Sequence, residues 1–296
     1  MALPKMVLQL AWLGLAVGIA QGHQDPSGET HPSIEVIDGK FAVAFRAIEE
    51  TPVGQLRSQK NPFFRIIYSP DGKVVVPRHR AQEVPERPWA EHRSNVAGLV
   101  VETKPTAEGQ RFVLTSIRIE GTPLHETPLP VSPEKHAEIS ACTFTDKWVG
   151  FTWTDSTGDR TDGDTPTSLY LTHVARDGAQ PGSRIRLGEP ALVYSFPRAS
   201  PPVWAGGRWW VVWVKAANTL AELQNPTTAW QTVLSSYDPN SGKLTEERLP
   251  GQSHWNAHLD LKTTKGWLCA AWHASQDGDY PGVGRIITAF KAVPSP

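Results

Sequence analysis

Tryptophan constrains this chain more than any other residue, because it recurs at matching places along it. Trp148 and Trp153 share one apolar run, Trp209 and Trp213 a second, and Trp267 and Trp272 a third. Phe41 and Phe45 look like the same pair in an earlier unit. Between the aromatics the residues are apolar or small, as in Val149-Gly150-Phe151-Thr152 and Leu268-Cys269-Ala270-Ala271. Such runs do not alternate cleanly between polar and apolar. A strand that is apolar on both faces is buried on both faces. The blades of a propeller meet that condition, since each sheet packs between two neighbours. The repeated tryptophans are therefore read as packing.

The surroundings of each run repeat as well. A short strand comes first, then a tight turn, then the aromatic strand. Residues 34–37, the turn Asp38-Gly39 and residues 40–46 are the clearest case. Asp-Gly between β-rich runs favours a two-residue hairpin, because both positions accept positive φ. Third strands are expected at 63–68, 111–119, 168–174, 230–237 and 285–290, several of them ending in a further turn such as Asp71-Gly72. The aromatic strand starts again at Phe41, Val96, Trp148, Trp209 and Trp267, at steps of roughly 50–60 residues that suit propeller blades stretched by loops. The expected fold is all-β, a propeller of five blades with mostly four antiparallel strands each. The second blade, with residues 95–102 as its second strand, lacks the aromatic pair. The fifth lacks a fourth strand of its own, which residues 23–32 are expected to supply. Residues 218–224 could make a helical turn within a loop.

The N-terminus has the pattern of an export signal. Lys5 gives the positive charge, residues 6–19 are apolar apart from Gln9, and Ala20-Gln21-Gly22 gives small residues at a cleavage site. The apolar stretch is shorter than the roughly 20 residues that span a bilayer. Residues 1–22 are expected to be a signal peptide and 23–296 a single domain, secreted or periplasmic, with no membrane span after cleavage. The formal net charge is −1 without runs of like charge, so no basic footprint for nucleic acid exists. The two cysteines, Cys142 and Cys269, fall on non-adjacent blades and make no disulfide framework. No G-x-S-x-G elbow, phosphate-cradling glycine loop or C-x-x-C pair is present.

Two stretches carry a family resemblance. H-P-S-I-x-x-x-D-G-K-F-A-V-A-F from His31 and T-D-K-W-V-G-F-T-W-T-D-S from Thr145 resemble blades of sialidase-like (BNR-type) secreted propellers. The likeness implies a propeller fold and an extracellular carbohydrate-linked role. Ser69-Pro70-Asp71-Gly72 is a fragment of the sialidase Asp-box at the third-to-fourth-strand turn. The full S-x-D-x-G-x-T-W motif does not occur, and no arginine triad with a tyrosine nucleophile can be assembled. Five-bladed furanosidases begin with an Asp-Pro whose carboxylate is the general base; the matching pair here is His31-Pro32.

A propeller usually binds ligands at one end of its channel, where first strands begin and second strands end. Hairpin pairing is expected to set His31 opposite Arg46, His136 opposite Asp155, Glu138 opposite Trp153, and Asn256 close to His273. His254 and His258 would share a strand face with Asn256, since side chains repeat every two residues. A carboxylate beside an imidazole raises its pKa and orients it, as acid–base catalysis requires. His136, Asp155 and Glu138 are therefore the catalytic candidates. His31, Arg46, Trp204, Trp255, Asn256, His258 and His273 are the ligand-binding candidates, Trp89, Trp204 and Trp255 being the tryptophans placed to stack on a sugar. Imidazoles suit transition metals, but histidines at strand spacing do not define a metal site and none is assigned. Asp155, Asp159, Asp162 and Asp164 leave calcium open, although no glutamate closes an EF-hand there. The leading expectation is a monomer that binds a carbohydrate or an extracellular protein at the channel rim without turnover. The alternatives are a sialidase-like glycoside hydrolase using the rim His, Asp and Glu, and a structural member of an extracellular assembly.

Overall fold

The computed structural model describes residues 18–20, 28–48, 63–81, 99–106, 109–117, 123–128, 138–156, 167–175, 184–191, 199–215, 230–251, 255–275 and 284–294. These form nineteen strands in five antiparallel sheets and, among the described residues, no helix. After β1 (Gly18–Ala20), blade one holds β2 (Gly28–Ile37), β3 (Lys40–Ile48), β4 (Phe63–Tyr68) and β5 (Val74–Ala81). Blade two holds β6 (Leu99–Thr106), β7 (Gly109–Ile117) and β8 (Pro123–Pro128). Blade three holds β9 (Glu138–Phe144), β10 (Trp148–Ser156), β11 (Thr167–Ala175) and β12 (Arg184–Ala191). Blade four holds β13 (Val203–Ala205), β14 (Arg208–Lys215), β15 (Gln231–Asp238) and β16 (Lys243–Arg248). Blade five holds β17 (Trp255–Thr264), β18 (Trp267–Ser275) and β19 (Gly284–Ala292).

Each sheet is a meander in chain order apart from β1 at the edge of blade five, and three seams between sheets are described. Leu169, Leu171 and Leu187 of blade three meet Trp209, Val211 and Trp213 of blade four. Trp210, Val212 and Leu234 of blade four meet Leu261, Leu268 and Trp272 of blade five. Cys269, Ala271 and Phe290 of blade five meet Phe41, Val43 and Phe45 of blade one. Packing of the last sheet on the first closes a ring, and the chain is a five-bladed β-propeller. This explains why the second strands are apolar on both faces: Arg208–Lys215 is buried at every position between its ends.

Small residues set the fit between blades. A Cβ on Gly150 would stand 2.5 Å from the ring of Trp209, and one on Gly188 would overlap the ring of Trp213. The tryptophans of blade four thus press into glycines of blade three. The hairpin from β2 to β3 turns through Asp38 and Gly39 with φ of 51° and 69°, the left-handed pair that a two-residue turn of this hand requires.

Two expectations are corrected. Trp148 and Trp267 are five residues from Trp153 and Trp272, so a strand turns the two members of each pair to opposite faces. Trp148 packs toward blade four and Trp267 toward blade one, and the true counterparts of Phe41 and Trp209 are Val149 and Leu268. Of blade two, three strands are among the described residues, and residues 95–98 of its expected second strand lie outside them. Finally, residues 28–32 belong to β2, and the fourth strand of blade five is β1, with Gly18 opposite Phe290 and Ala20 opposite Thr288. That strand lies inside the expected signal peptide. Residues 218–224 lie outside the described residues.

Candidate functional site

Connectivity gives the propeller two unlike faces. Tight turns at 38–39, 69–73, 145–147, 206–207, 239–242 and 265–266 join first to second or third to fourth strands at one face. At the other face the second strands of blades one, three, four and five end and their first strands begin. There the residues 49–62, 157–166, 216–230 and 276–283 bridge second to third strands. The candidate rim is this second face, with the first strands innermost: β17 packs against both β2 and β13.

The first strands share a device that the sequence pattern did not reveal. In blade five, His258 and Leu259 together oppose Trp272, between the pairs Ala257–His273 and Asp260–Ala271. In blade one, His31 and Pro32 together oppose Phe45, between Thr30–Arg46 and Ser33–Ala44. In blade three the register shifts between Thr152–Ala141 and Trp153–Ile139, leaving Ser140 as the extra residue. Blade four shifts by one residue between Val203–Trp210 and the bridge Ala199–Trp213. In blades one, three and five the bulge lies across from the second aromatic; in blade four, where the Ser200 amide donates to the Val212 carbonyl, it lies across from Val211. A bulge re-aims side chains and is common beside binding sites and at barrel rims.

These bulges correct the expected pairings by one residue. Arg46 lies opposite Thr30, with His31 in the bulge beside it. Glu138 lies opposite Thr154 rather than Trp153. His273 lies opposite Ala257, and Asn256 opposite Ala274. The bulge also breaks the shared face expected for Asn256 and His258, and His258 takes a φ of 52°.

Among the described side chains, Arg46 is exposed at the rim and lays its guanidinium 4.8 Å from the centroid of the Phe63 ring. His258 and His273 are both buried, and their rings lie 6.2 Å apart and nearly parallel. Trp204 is not at the rim. It sits beside the turn 206–207 at the opposite face, edge-on to Trp209 at 5.2 Å. It packs as part of the core between blades three and four. The strand positions of His31, Glu138, Asp155, Trp255 and Asn256 are described, but their side chains are outside the described residues. His136, His254, Trp89, Asp159, Asp162 and Asp164 lie wholly outside them. No group of three or more metal-capable side chains occurs among the described residues.

One residue the sequence reading missed is Asp260. Its carboxylate is buried and accepts hydrogen bonds from the amide of Ile34 in blade one at 2.7 Å and from the amide of Leu261 at 2.9 Å. A charge inside the apolar run Leu259-Asp260-Leu261 was the available signal. Cys269 is a free buried thiol whose pKa is pushed up by burial and then by the charge of Asp260.

The Asp-box fragment forms an ordered turn at the face away from the rim. The Ser69 amide donates to the Lys73 carbonyl and the Ser69 hydroxyl donates to Asp71. The Lys73 ammonium, 2.7 Å away, and the Ser69 hydroxyl hold the Asp71 carboxyl down at about 2. The turn packs Gly72 on Phe290 of blade five, a joint between blades.

No family model matches the chain, and no curated protein matches it. Solved structures with a related outline exist at low identity. One is CoXyl43, a GH43 β-xylosidase/α-arabinofuranosidase from a compost microbial metagenome, at 15% identity and TM-score 0.37 over 93% of this chain and 94% of that one. A GH43_1 enzyme from Xanthomonas citri has 12% identity and TM-score 0.39 over 95% and 94%. A GH32 β-fructofuranosidase from Bombyx mori, in complex with sucrose, has 10% identity and TM-score 0.37 over 90% and 60%.

Proposed function

We propose that this chain is an exported propeller that binds a carbohydrate at the rim where its first strands bulge. The observation that carries the reading is the set of matching bulges opposite Phe45, Trp153 and Trp272. They bring His31, Ile139 and His258 to equivalent places on the innermost strands at one end of the ring, with Pro32, Ser140 and Leu259 after them. Arg46, stacked on Phe63, stands next to the first bulge. Hydrogen-bonding groups beside aromatic plates suit sugars, which offer hydroxyls at their edges and C–H faces between them.

Hydrolysis is the second reading, and one pairing favours it. Glu138, opposite Thr154, and Asp155 both stand at the rim end of blade three, on opposite faces of its sheet, and a pair of carboxylates flanking a scissile bond is what glycoside hydrolysis uses. Asp260 does not fit that role, since both its oxygens are taken by backbone amides.

A glycan array with the purified chain, followed by a turnover assay on each glycan bound, tests both. Specific binding without turnover supports the lead. Turnover that is lost in Glu138→Gln or Asp155→Asn replaces it with the hydrolase. Binding of no glycan defeats both and leaves a structural role. Arg46→Ala is expected to weaken binding by about tenfold, the effect of one charge-assisted contact.

A further inference from the structure

The blades are alike, but the seam between blades five and one is bridged at its innermost strands by a buried carboxylate, whereas the seam between blades four and five is bridged at outer strands by the Lys291–Glu247 ion pair. Equivalent positions can be matched through the second aromatic of each blade. Asp260, Ala141 and Ser33 are the first paired residues after the bulge in blades five, three and one. Ser200 stands nearby in blade four, and its hydroxyl accepts from the amide of Val212 within its own blade. Only Asp260, among these, reaches into the next blade.

The receiving position is equally specific. Ile34 has Leu261 as its counterpart in blade five, since both follow the paired residue by one. The two amides on Asp260 are therefore the same structural amide in consecutive blades: Leu261 on Oδ1 and Ile34 on Oδ2. Both face the channel edge of an innermost strand, where no further strand can pair with them. In blade four Ser200 holds the place of Asp260, opposite Val212, and the residue after it is Pro201, which has no N–H to satisfy. A buried amide without a partner is costly, and at the closing seam one carboxylate serves two.

We infer that Asp260 is the positioning residue of the rim, closing the ring by holding β2 of blade one against β17 of blade five. The site it would position rests on the proposed carbohydrate-binding role. Ile34 follows the bulge that holds His31 and Pro32, and Asp260 follows the bulge that holds His258. One bond thus fixes the distance between two bulges on opposite sides of the seam. Its loss lets β2 part from β17 and moves His31 relative to His258.

Hydrogen exchange on the full-length chain tests this without any ligand. Asp260→Ala should speed exchange of the Ile34 amide at least tenfold, while the amides of Val211 and Leu171 in the seam between blades three and four keep their rates. The imidazole NMR signals of His31 should shift while those of His173 stay. Asp260→Asn, which keeps one acceptor oxygen, should fall between. If Asp260→Ala does not fold, Asp260→Asn alone must show the same local pattern. Ile34→Pro removes the donor and copies blade four; combined with Asp260→Ala, its change in thermal midpoint should be smaller than the sum of the two. Uniform acceleration across both seams, an unmoved His31 signal or additive midpoints would overturn the inference. A chain that shows the local pattern but binds no glycan would keep the latch and lose only the proposed ligand.

Discussion

The seam between blades three and four and the seam between blades five and one do the same job by different means. The first presses the rings of Trp209 and Trp213 onto Gly150 and Gly188, with His173 enclosed between Trp148 at 5.2 Å and Tyr237 at 5.7 Å. The second has the smaller Cys269, Ala271 and Phe290 against Phe41 and Phe45, and adds the Asp260 carboxylate. Consecutive blades are also tied by the chain and can rely on shape. The chain ties the last blade to the first only through β1, which holds β19 by three residue pairs, so a directional bond there fixes register as well as distance. A hydrogen bond to a charged group contributes about 1.5–3 kcal/mol, less than a buried tryptophan but with a defined geometry.

The largest effect should come from the apolar seam. Trp209→Ala removes a fully buried ring that no neighbour can replace, and large-to-small changes of this kind cost about 3–5 kcal/mol. Urea unfolding followed by the remaining tryptophans would measure it. A loss under 1 kcal/mol would mean that blades three and four are not held by this ring.

A middle-sized effect separates the seams by pH. Burial among aromatic rings lowers the pKa of His173. The native state therefore keeps His173 neutral at pH values where the unfolded chain, near the ordinary value of about 6.5, is already protonated. The unfolded state binds the extra proton, so stability rises with pH across the window between the lowered pKa and 6.5. It is fully present above about 6.5 and is lost as the solution is acidified. His173→Phe should flatten that limb of the stability curve while leaving the neutral value within about 1 kcal/mol, as urea midpoints at pH 5 and pH 7.5 would show. An unchanged acid limb would move the sensitivity to another group.

The aromatic repeat made the fold legible, because burial on both faces leaves few architectures open and the spacing fits blades. The third strands at 63–68 and 231–238 were equally readable from their flanking turns. The rim was read one residue out of register. A bulge leaves no mark in a strand pattern: His31-Pro32 and His258-Leu259 look like ordinary strand residues until the partner strand is placed. The spacing of the pairs misled in a related way. Five residues from Trp148 to Trp153 resembles four from Trp209 to Trp213 in a list, but on a strand the difference reverses the face. Trp204 was assigned to the rim by its loop-like surroundings, whereas the turn at 206–207 carries it to the other end of the blade. Asp260 was visible as a charge in an apolar run, but its partner lies 226 residues away, beyond the reach of local pattern.

The smallest effect concerns what else closes the ring. β1 adds a fourth strand to blade five through three residue pairs, far fewer than the nine that join β18 to β19. If closure depended on that strand, deleting residues 1–22 would destabilise the chain about as much as loss of a whole hairpin. If Asp260 and the apolar contacts of Phe290 carry closure, the deletion should cost no more than about 1 kcal/mol, or roughly 2–4 °C in Tm for a chain of this size. Exchange at Ile34 should then be unchanged, while only the outer amides of β19 become faster. A deletion that accelerates Ile34 as much as Asp260→Ala would show that the strand and the carboxylate act as one joint. A protein lacking residues 1–22 would in that case have a looser rim than the full chain, and export with cleavage would alter the site itself.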